Sequence, residues 1–142
     1  MADRKQNGNL IGTKTPIMTE AIISRIAIII LGIVLAAFGI YHLVKPDNML
    51  VFVPSFLPGG IVWVYIVGVA FILAAIAFIT HRMIKVTGYL LALLLIIFVL
   101  TIHLPNYLHS GDVDLKQGAF VNLLKDSAIA AFALYIASTT RN

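Results

Sequence analysis

The sequence contains no cysteine. This absence excludes disulfide exchange, thiolate nucleophiles, cysteine-ligated iron–sulfur clusters and thiolate zinc sites. Any redox reaction at this protein therefore needs a cofactor or substrate from elsewhere. The sequence also lacks the nucleotide-binding, metalloprotease and serine-hydrolase signatures G-x-x-x-x-G-K-[ST], G-x-G-x-x-G, H-E-x-x-H and G-x-S-x-G. These absences argue against an autonomous enzyme without deciding the question.

Charge is also scarce. Only 11% of the 142 residues are charged, whereas 61% are hydrophobic, and the mean hydropathy is +1.01. A soluble domain of this length could not bury so much apolar surface, so the composition predicts an integral membrane protein. The net charge of +4 comes without a basic run or interleaved aromatic residues. We therefore expect membrane lipids and other membrane subunits as partners, and no nucleic acid.

Long apolar runs predict four transmembrane helices, because each run approaches the roughly 20 residues that cross a bilayer. The predicted spans are 22–44, 61–80, 86–104 and about 119–138. The last span needs an N-terminal extension, since its strictly apolar part, "SAIAAFALYIAS", covers only about 18 Å of a hydrocarbon core roughly 30 Å thick. This extension brings Asn122 and Asp126 into the membrane.

Small residues four apart predict how these helices meet, because they let backbones approach closely where lipid provides no hydrophobic drive. One such pair lies in each span: Gly32 and Ala36, Ala70 and Ala74, Gly88 and Ala92, and Ala133 and Ala137. The predicted fold is an all-α, antiparallel four-helix transmembrane bundle formed by residues 22–138. A polar tail, 1–21, precedes it and is a candidate contact for other subunits, and residues 139–142 follow it.

The distribution of cations predicts the orientation of the bundle, since lysine and arginine are retained in the cytoplasm. Most of the 10 lysines and arginines lie in the N-terminal segment, at Arg82 and Lys85 between the second and third spans, and at the C-terminus. Both termini are therefore expected to be cytoplasmic. The connections at 45–60 and 105–118 are then expected to face outward.

Polar residues gather at this predicted outer end. His42 ends the first span, His103 lies near the end of the third, and Asp126 enters from the fourth with Asn122 one turn above it. An ionisable group at that depth is costly unless it is paired or faces an internal cavity, so it marks a candidate functional site. The candidate ligand-binding residues are His42, Tyr41, His103, Asn106, Asn122 and Asp126.

Each of these residues also has a structural interpretation. Tyr41 and the two histidines are residue types that also lie at headgroup level as interfacial side chains. Asp126 has Lys125, Lys45 or arginine side chains of a neighbouring subunit as candidate ion-pair partners. The histidines form no i, i+4 pair or other tight ligand spacing, so no metal site is expected. No polar relay continues to the opposite side, which argues against a complete ion channel.

The first connection has an unusual composition. Pro46 ends the first helix, because proline disfavours helix at the residue before it. The segment "MLVFVPSFLPGG" that follows is too apolar for a solvated loop. We expect it to fold over the mouth of the bundle as a re-entrant or interfacial lid.

Three blocks, "FGIYHLVKPDNMLVFVPSFLPGG", "VYIVGVAFILAAIAF" and "IHLPNYL", resemble the small four-helix DoxX-like membrane proteins over roughly residues 30–110. The resemblance implies a bacterial inner-membrane protein. Its relatives are linked to quinone-connected oxidation of sulfur compounds, to terminal oxidase complexes or to assembly of other membrane proteins. One departure stands out: where members often carry a glutamate in the second span, this chain has Phe71.

Two functions from different classes remain open. The first is a non-catalytic accessory subunit of a respiratory or other membrane complex, with a small outer polar pocket that holds a quinone or lipid. The second is a purely structural or assembly subunit, or a chaperone, that packs on a larger membrane complex. Bound quinone would favour the first, and stable protein partners without ligand would favour the second.

Overall fold

A computed structural model of the chain describes residues 14–55 and 57–140, which are helical apart from short connections and contain no strand. The helices are α1 (Lys14–Val44), α2 (Pro46–Leu50), α3 (Ile61–Thr80), α4 (Ile84–Phe98), α5 (Leu104–His109) and α6 (Val113–Thr139). One π-helical turn, Val99–His103, joins α4 to α5 without a break. The described residues thus include four helices long and apolar enough to cross a membrane, which confirms the four-helix bundle.

The helix bounds differ from the predicted segment bounds at three places. The polar tail was expected to extend to residue 21, but residues 14–21 already belong to α1, and residues 1–13 lie outside the described residues. The third span continues past residue 104 to His109. The fourth begins at Val113 instead of near 119, because Asp112 caps it: its Oδ1 accepts the backbone N–H of Leu115 at 2.9 Å.

The bundle consists of two closely packed helix pairs, α1 with α3 and α4 with α6. In the first pair, a Cβ added at Gly39 would lie 2.8 Å from the carbonyl oxygen of Gly68. In the second, a Cβ at Gly88 would lie 2.8 Å from the carbonyl oxygen of Ala133 and 2.9 Å from the Cβ of Ala137. Each pair therefore contains a backbone contact that any larger residue would push apart.

The two pairs pack on each other through a common apolar core. Its most completely buried large side chains are Leu35 of α1, Phe78 of α3 and Leu95 of α4. The opposite faces of all four spanning helices carry exposed isoleucine, leucine and valine side chains. In a bilayer these faces meet lipid, so the amphipathic pattern of a soluble bundle is replaced by an apolar exterior.

The π-helical turn follows from Pro105. Proline has no N–H to donate to the carbonyl four residues earlier, here that of Thr101, and its ring clashes with that carbonyl in a regular α-helix. The widened turn accommodates the ring, and the N–H of Leu104 instead reaches the carbonyl of Val99. Because one extra residue enters the turn, His103 is rotated relative to the rest of α4.

Candidate ligand cavity

The connection between α1 and α3 folds back over one end of the bundle, as predicted for the lid. The chain reverses at Gly59 and Gly60, whose φ values of 93° and 40° favour glycine. The indole N–H of Trp63 holds the reversal by donating to the carbonyl of Pro58 at 2.8 Å. We call the side of the bundle with this connection the cavity end.

Beneath the connection lies a cavity of about 250 Å³ between the two helix pairs. Most of its walls are apolar or aromatic. The first connection contributes Met49, Phe52, Val53, Pro54 and Leu57, and α1 and α3 contribute Leu35, Phe38, Tyr41, His42, Trp63, Val64, Val67 and Phe71. The opposite wall is formed by Leu95, Phe98, Ile102, His103, Asn122, Lys125, Asp126 and Ile129.

An ionic network crosses between the third and fourth spans on this opposite wall. His103 Nε2 lies 3.0 Å from Asp126 Oδ2, and the Lys125 ammonium lies 3.4 Å from Asp126 Oδ1. Lys125 also donates to Asn122 Oδ1 at 3.0 Å and lies 4.3 Å from the centre of the Phe38 ring. Asp126 is thus paired with Lys125, one of the partners considered from the sequence.

Burial makes this network unusual. His103 is 6% exposed and Asp126 is 5% exposed, although both are polar residues within spanning helices. The carboxylate and the ammonium compensate each other, which offsets the desolvation of each charge. Lys125 keeps about a third of its side chain exposed and so remains at the edge of the cavity. A charge-balanced polar group is therefore held against an otherwise apolar space.

His103 differs from the other histidines in the bonds its ring makes. His42 Nδ1 and His109 Nδ1 each bond the carbonyl four residues earlier, those of Phe38 and Pro105, at 2.7 and 3.1 Å. For His103 the corresponding carbonyl, that of Val99, is taken by the π-helical turn. Its Nδ1 is buried and has no partner among the described residues. The His103 ring instead reaches across to α6 through Nε2, and its other nitrogen is left without a partner among the described residues.

The wall formed by α1 and α3 is mainly aromatic. The His42 ring packs edge-on against Phe71 at 5.5 Å between centroids, and Phe71 also lies 6.4 Å from Phe38. Phe52 of the connection packs edge-on to His103 at 6.1 Å and so links the lid to the opposite wall. Phe71 is therefore a cavity residue.

The structure brings most of the predicted ligand-binding residues to this one cavity. Tyr41, His42, His103, Asn122 and Asp126 line it, and their role in binding stays a prediction. Asn106 does not line it, since it lies in α5 beyond the π-helical turn. Lys125 was not among the predicted site residues. The signal in the sequence that could have pointed to Lys125 is its spacing from Asn122 and Asp126.

The predicted absence of a metal site remains untested. Within residues 14–55 and 57–140, no three side chains of His, Asp or Glu lie close enough together to hold a metal ion. His109 is exposed and does not join His42 and His103 at the cavity.

Comparison with known proteins returned one family. A family model described as a domain of unknown function (DUF8561) matches residues 31–119, more than half of the chain. The matched segment contains His42, Phe71 and His103 but ends before Lys125 and Asp126. No curated protein and no solved structure matches the chain.

Proposed function

We propose that this chain, which belongs to the DUF8561 family, is a non-catalytic accessory subunit of a membrane complex whose cavity holds the head of a hydrophobic ligand such as a quinone. The observation that carries the proposal is the buried network of His103, Asp126 and Lys125 beside an apolar cavity. Ionisable groups at membrane depth are expensive and are characteristic of functional sites. An apolar pocket with a few convergent polar groups is typical of a ligand site.

The size of the cavity favours a head group over a whole lipid. Its volume of about 250 Å³ falls just below the range of roughly 300–1,000 Å³ typical of sites that enclose drug-sized ligands. A single substituted ring fits such a space, and an isoprenoid or acyl tail would leave between the helices toward the surrounding lipid. The aromatic walls of Phe38, Phe52 and Phe71 supply faces against which a ring stacks.

The accessory role follows from what lines the cavity. Of the described residues that line it, none is serine, threonine or cysteine, so the commonest nucleophiles of covalent catalysis do not reach the ligand. Phe71 replaces the carboxylate that DoxX-like proteins often carry there, and the acid of this cavity is Asp126 instead. We place the cavity at the outer side of a bacterial inner membrane, on the asymmetry of lysine and arginine.

Trp63 provides a direct test, since it is the only tryptophan of the chain and it lines the cavity. Quinones quench tryptophan fluorescence on contact. We expect a short-tailed quinone to quench Trp63 saturably when it is titrated into the purified, detergent-solubilised protein. Unsaturable, linear quenching would mean partition into the micelle and would contradict the proposal.

A matched pair of α3 variants separates cavity binding from adsorption to the helix surface. Val67 lines the cavity, whereas Val69 is 48% exposed on the lipid-facing side of the same helix. Val67→Phe should fill the space and abolish saturable quenching, and Val69→Phe should leave it unchanged. If no ligand binds and stable membrane subunits co-purify with the chain, the structural or assembly role replaces this proposal.

A further inference from the structure

We infer that the cavity selects a ring that donates hydrogen bonds, so that a hydroquinone binds in preference to the corresponding quinone. This inference rests on the proposed function, because it specifies the chemical form of the ligand held in the same cavity. It follows from the hydrogen-bond partners of the two histidines, which lie on opposite walls.

The partner of His103 determines which of its nitrogens carries a proton. Asp126 is ion-paired with Lys125 through Oδ1, and an ionised carboxylate only accepts hydrogen bonds. His103 Nε2, 3.0 Å from Oδ2, must therefore donate. In the neutral imidazole the other nitrogen, Nδ1, is then an acceptor. This is the atom that is buried without a partner among the described residues.

The same reasoning applies to His42 with the two nitrogens exchanged. Its Nδ1 lies 2.7 Å from the carbonyl oxygen of Phe38, which can only accept, so Nδ1 donates. The Nε2 of the neutral ring is then an acceptor, and no described residue forms a hydrogen bond with it. Each of these two cavity-lining histidines therefore has one nitrogen that can accept a hydrogen bond and has no partner among the described residues.

Two donors that line the cavity are engaged within the protein, and two keep a proton to donate: the Asn122 amide and the Tyr41 hydroxyl, which accepts from Asn48 Nδ2. Lys125 is directed to Asn122, to Asp126 and to the face of Phe38, and the Trp63 N–H is bonded to Pro58. The Asn122 amide nitrogen is left to donate, since Oδ1 accepts from Lys125. A hydroquinone hydroxyl satisfies both kinds of group because it donates and accepts. A quinone carbonyl only accepts and would leave both histidine nitrogens unpaired.

Access to His103 requires a movement of the lid. Phe52 packs edge-on to the His103 ring, and Nδ1 of that ring is buried. A ligand ring that takes the place of Phe52 against His103 would bring its hydroxyl to Nδ1. Its second hydroxyl, across the ring, then faces the α1 wall that carries His42.

The test compares four ligands with the same alkyl tail: a hydroquinone, its monomethyl ether, its dimethyl ether and the corresponding quinone under anaerobic conditions. Affinities for the detergent-solubilised protein are measured by calorimetry. Each lost donor leaves a buried acceptor unpaired, so we expect about tenfold weaker binding for each hydroxyl removed. The quinone should bind about as weakly as the dimethyl ether. Because it is no larger than the hydroquinone, weak quinone binding cannot arise from steric exclusion.

His42→Phe provides the variant test, with His109→Phe as its matched control. His109 makes the same type of backbone bond as His42 but does not line the cavity. In His42→Phe the hydroquinone and its monomethyl ether should bind equally, whereas His109→Phe should retain the tenfold difference. Should His42→Phe fail to fold, the four-ligand series on the unaltered protein decides the question.

The outcomes distinguish this inference from the proposed function. Equal affinities for all four ligands, or tighter binding of the quinone, would overturn the donor preference and leave the ligand cavity intact. Absence of saturable binding by any of them would overturn the proposed function itself.

Discussion

The two walls of the cavity accommodate polar side chains inside a membrane in different ways. On the α1–α3 wall, His42 bonds the backbone of its own helix and packs against Phe71, so its hydrogen bond does not depend on another helix. On the α4–α6 wall, His103, Asp126 and Lys125 depend on one another across two helices. The His42 hydrogen bond can therefore persist when the second wall changes, whereas the three side chains of the second wall are coupled to one another.

This difference shows where sequence alone can mislead in membrane proteins. A histidine at the end of an apolar helix looks the same in both walls, but only one lies at a π-helical turn that frees it from its own backbone. The proline two residues later determines which histidine reaches another helix. The α1–α3 wall is thus held by backbone packing, and the α4–α6 wall is held by side-chain pairing.

The largest effect is expected from a substitution in the close packing of α1 against α3. A Cβ at Gly68 would lie 2.9 Å from Leu43 Cδ2 and 3.0 Å from the Cβ of His42. We expect Gly68→Leu to lower the free energy of unfolding by about 3 kcal/mol, as overpacking does. The measurement is unfolding in mixed detergent, compared with the unaltered protein.

Gly118→Leu is the control for this change, because a Cβ at Gly118 of α6 would meet nothing within 4 Å. Its stability should stay close to that of the unaltered protein. Equal stability of Gly68→Leu would contradict the close α1–α3 contact and indicate that this face meets lipid.

The second prediction concerns coupling across the α4–α6 wall. In a double-mutant cycle, Asp126→Asn and His103→Ala should show an interaction energy of about 1–2 kcal/mol, because the first removes the charge from the hydrogen bond that the second removes altogether. The same nonadditivity should appear in ligand affinity measured by Trp63 quenching. The energies come from unfolding and binding measurements on the single and double variants.

A second cycle, with His42→Ala in place of His103→Ala, provides the comparison between the walls. Its interaction energy should be near zero, since His42 bonds only its own helix. Strict additivity in the first cycle would contradict the shared site. Loss of stability without loss of ligand affinity would instead assign Asp126 a purely structural role.

A smaller effect is expected from Pro105→Ala. Without the proline ring, the N–H of residue 105 can bond the carbonyl of Thr101 and the π-helical turn can relax to regular α-helix. His103 would then rotate away from α6, and its coupling to Asp126 should fall below about 0.5 kcal/mol. The change in coupling is measured by repeating the double-mutant cycle of Asp126→Asn and His103→Ala in the Pro105→Ala protein. Undiminished coupling would mean that the turn is held by tertiary packing instead.

The smallest perturbation tests on which side of the membrane the cavity end lies. The chain has no cysteine, so a single introduced cysteine reports its own position. Ser110→Cys lies in the connection at the cavity end and should react with an impermeant reagent added outside the cell. Met83→Cys, in the exposed turn at the opposite end, should react only after permeabilisation. The reverse pattern would place the cavity on the cytoplasmic side.

Much of the fold could be predicted from the sequence, because its determinants are local. The bounds of α3 agree with the predicted span 61–80, since an apolar run that ends in charged residues dictates where a helix leaves the membrane. The early start of α6 was missed although Asp112 is a recognisable helix cap. The continuation through Pro105 was missed because proline is usually taken to end a helix, whereas a π-helical turn lets it pass.

For the candidate site, the sequence by itself determined which residues were too polar for their depth in the membrane, because burial of Asp126, Asn122 and His103 is costly wherever they point. Only the tertiary structure decided that Lys125 compensates Asp126, that Asn106 lies away from the cavity and that Phe71 lies in it. These outcomes depend on helix rotation and on the approach of four segments distant along the chain. Turning an α-helix about its axis by one residue position, about 100°, changes which side chains meet those of the neighbouring helices. The apolar character of the helix stays the same.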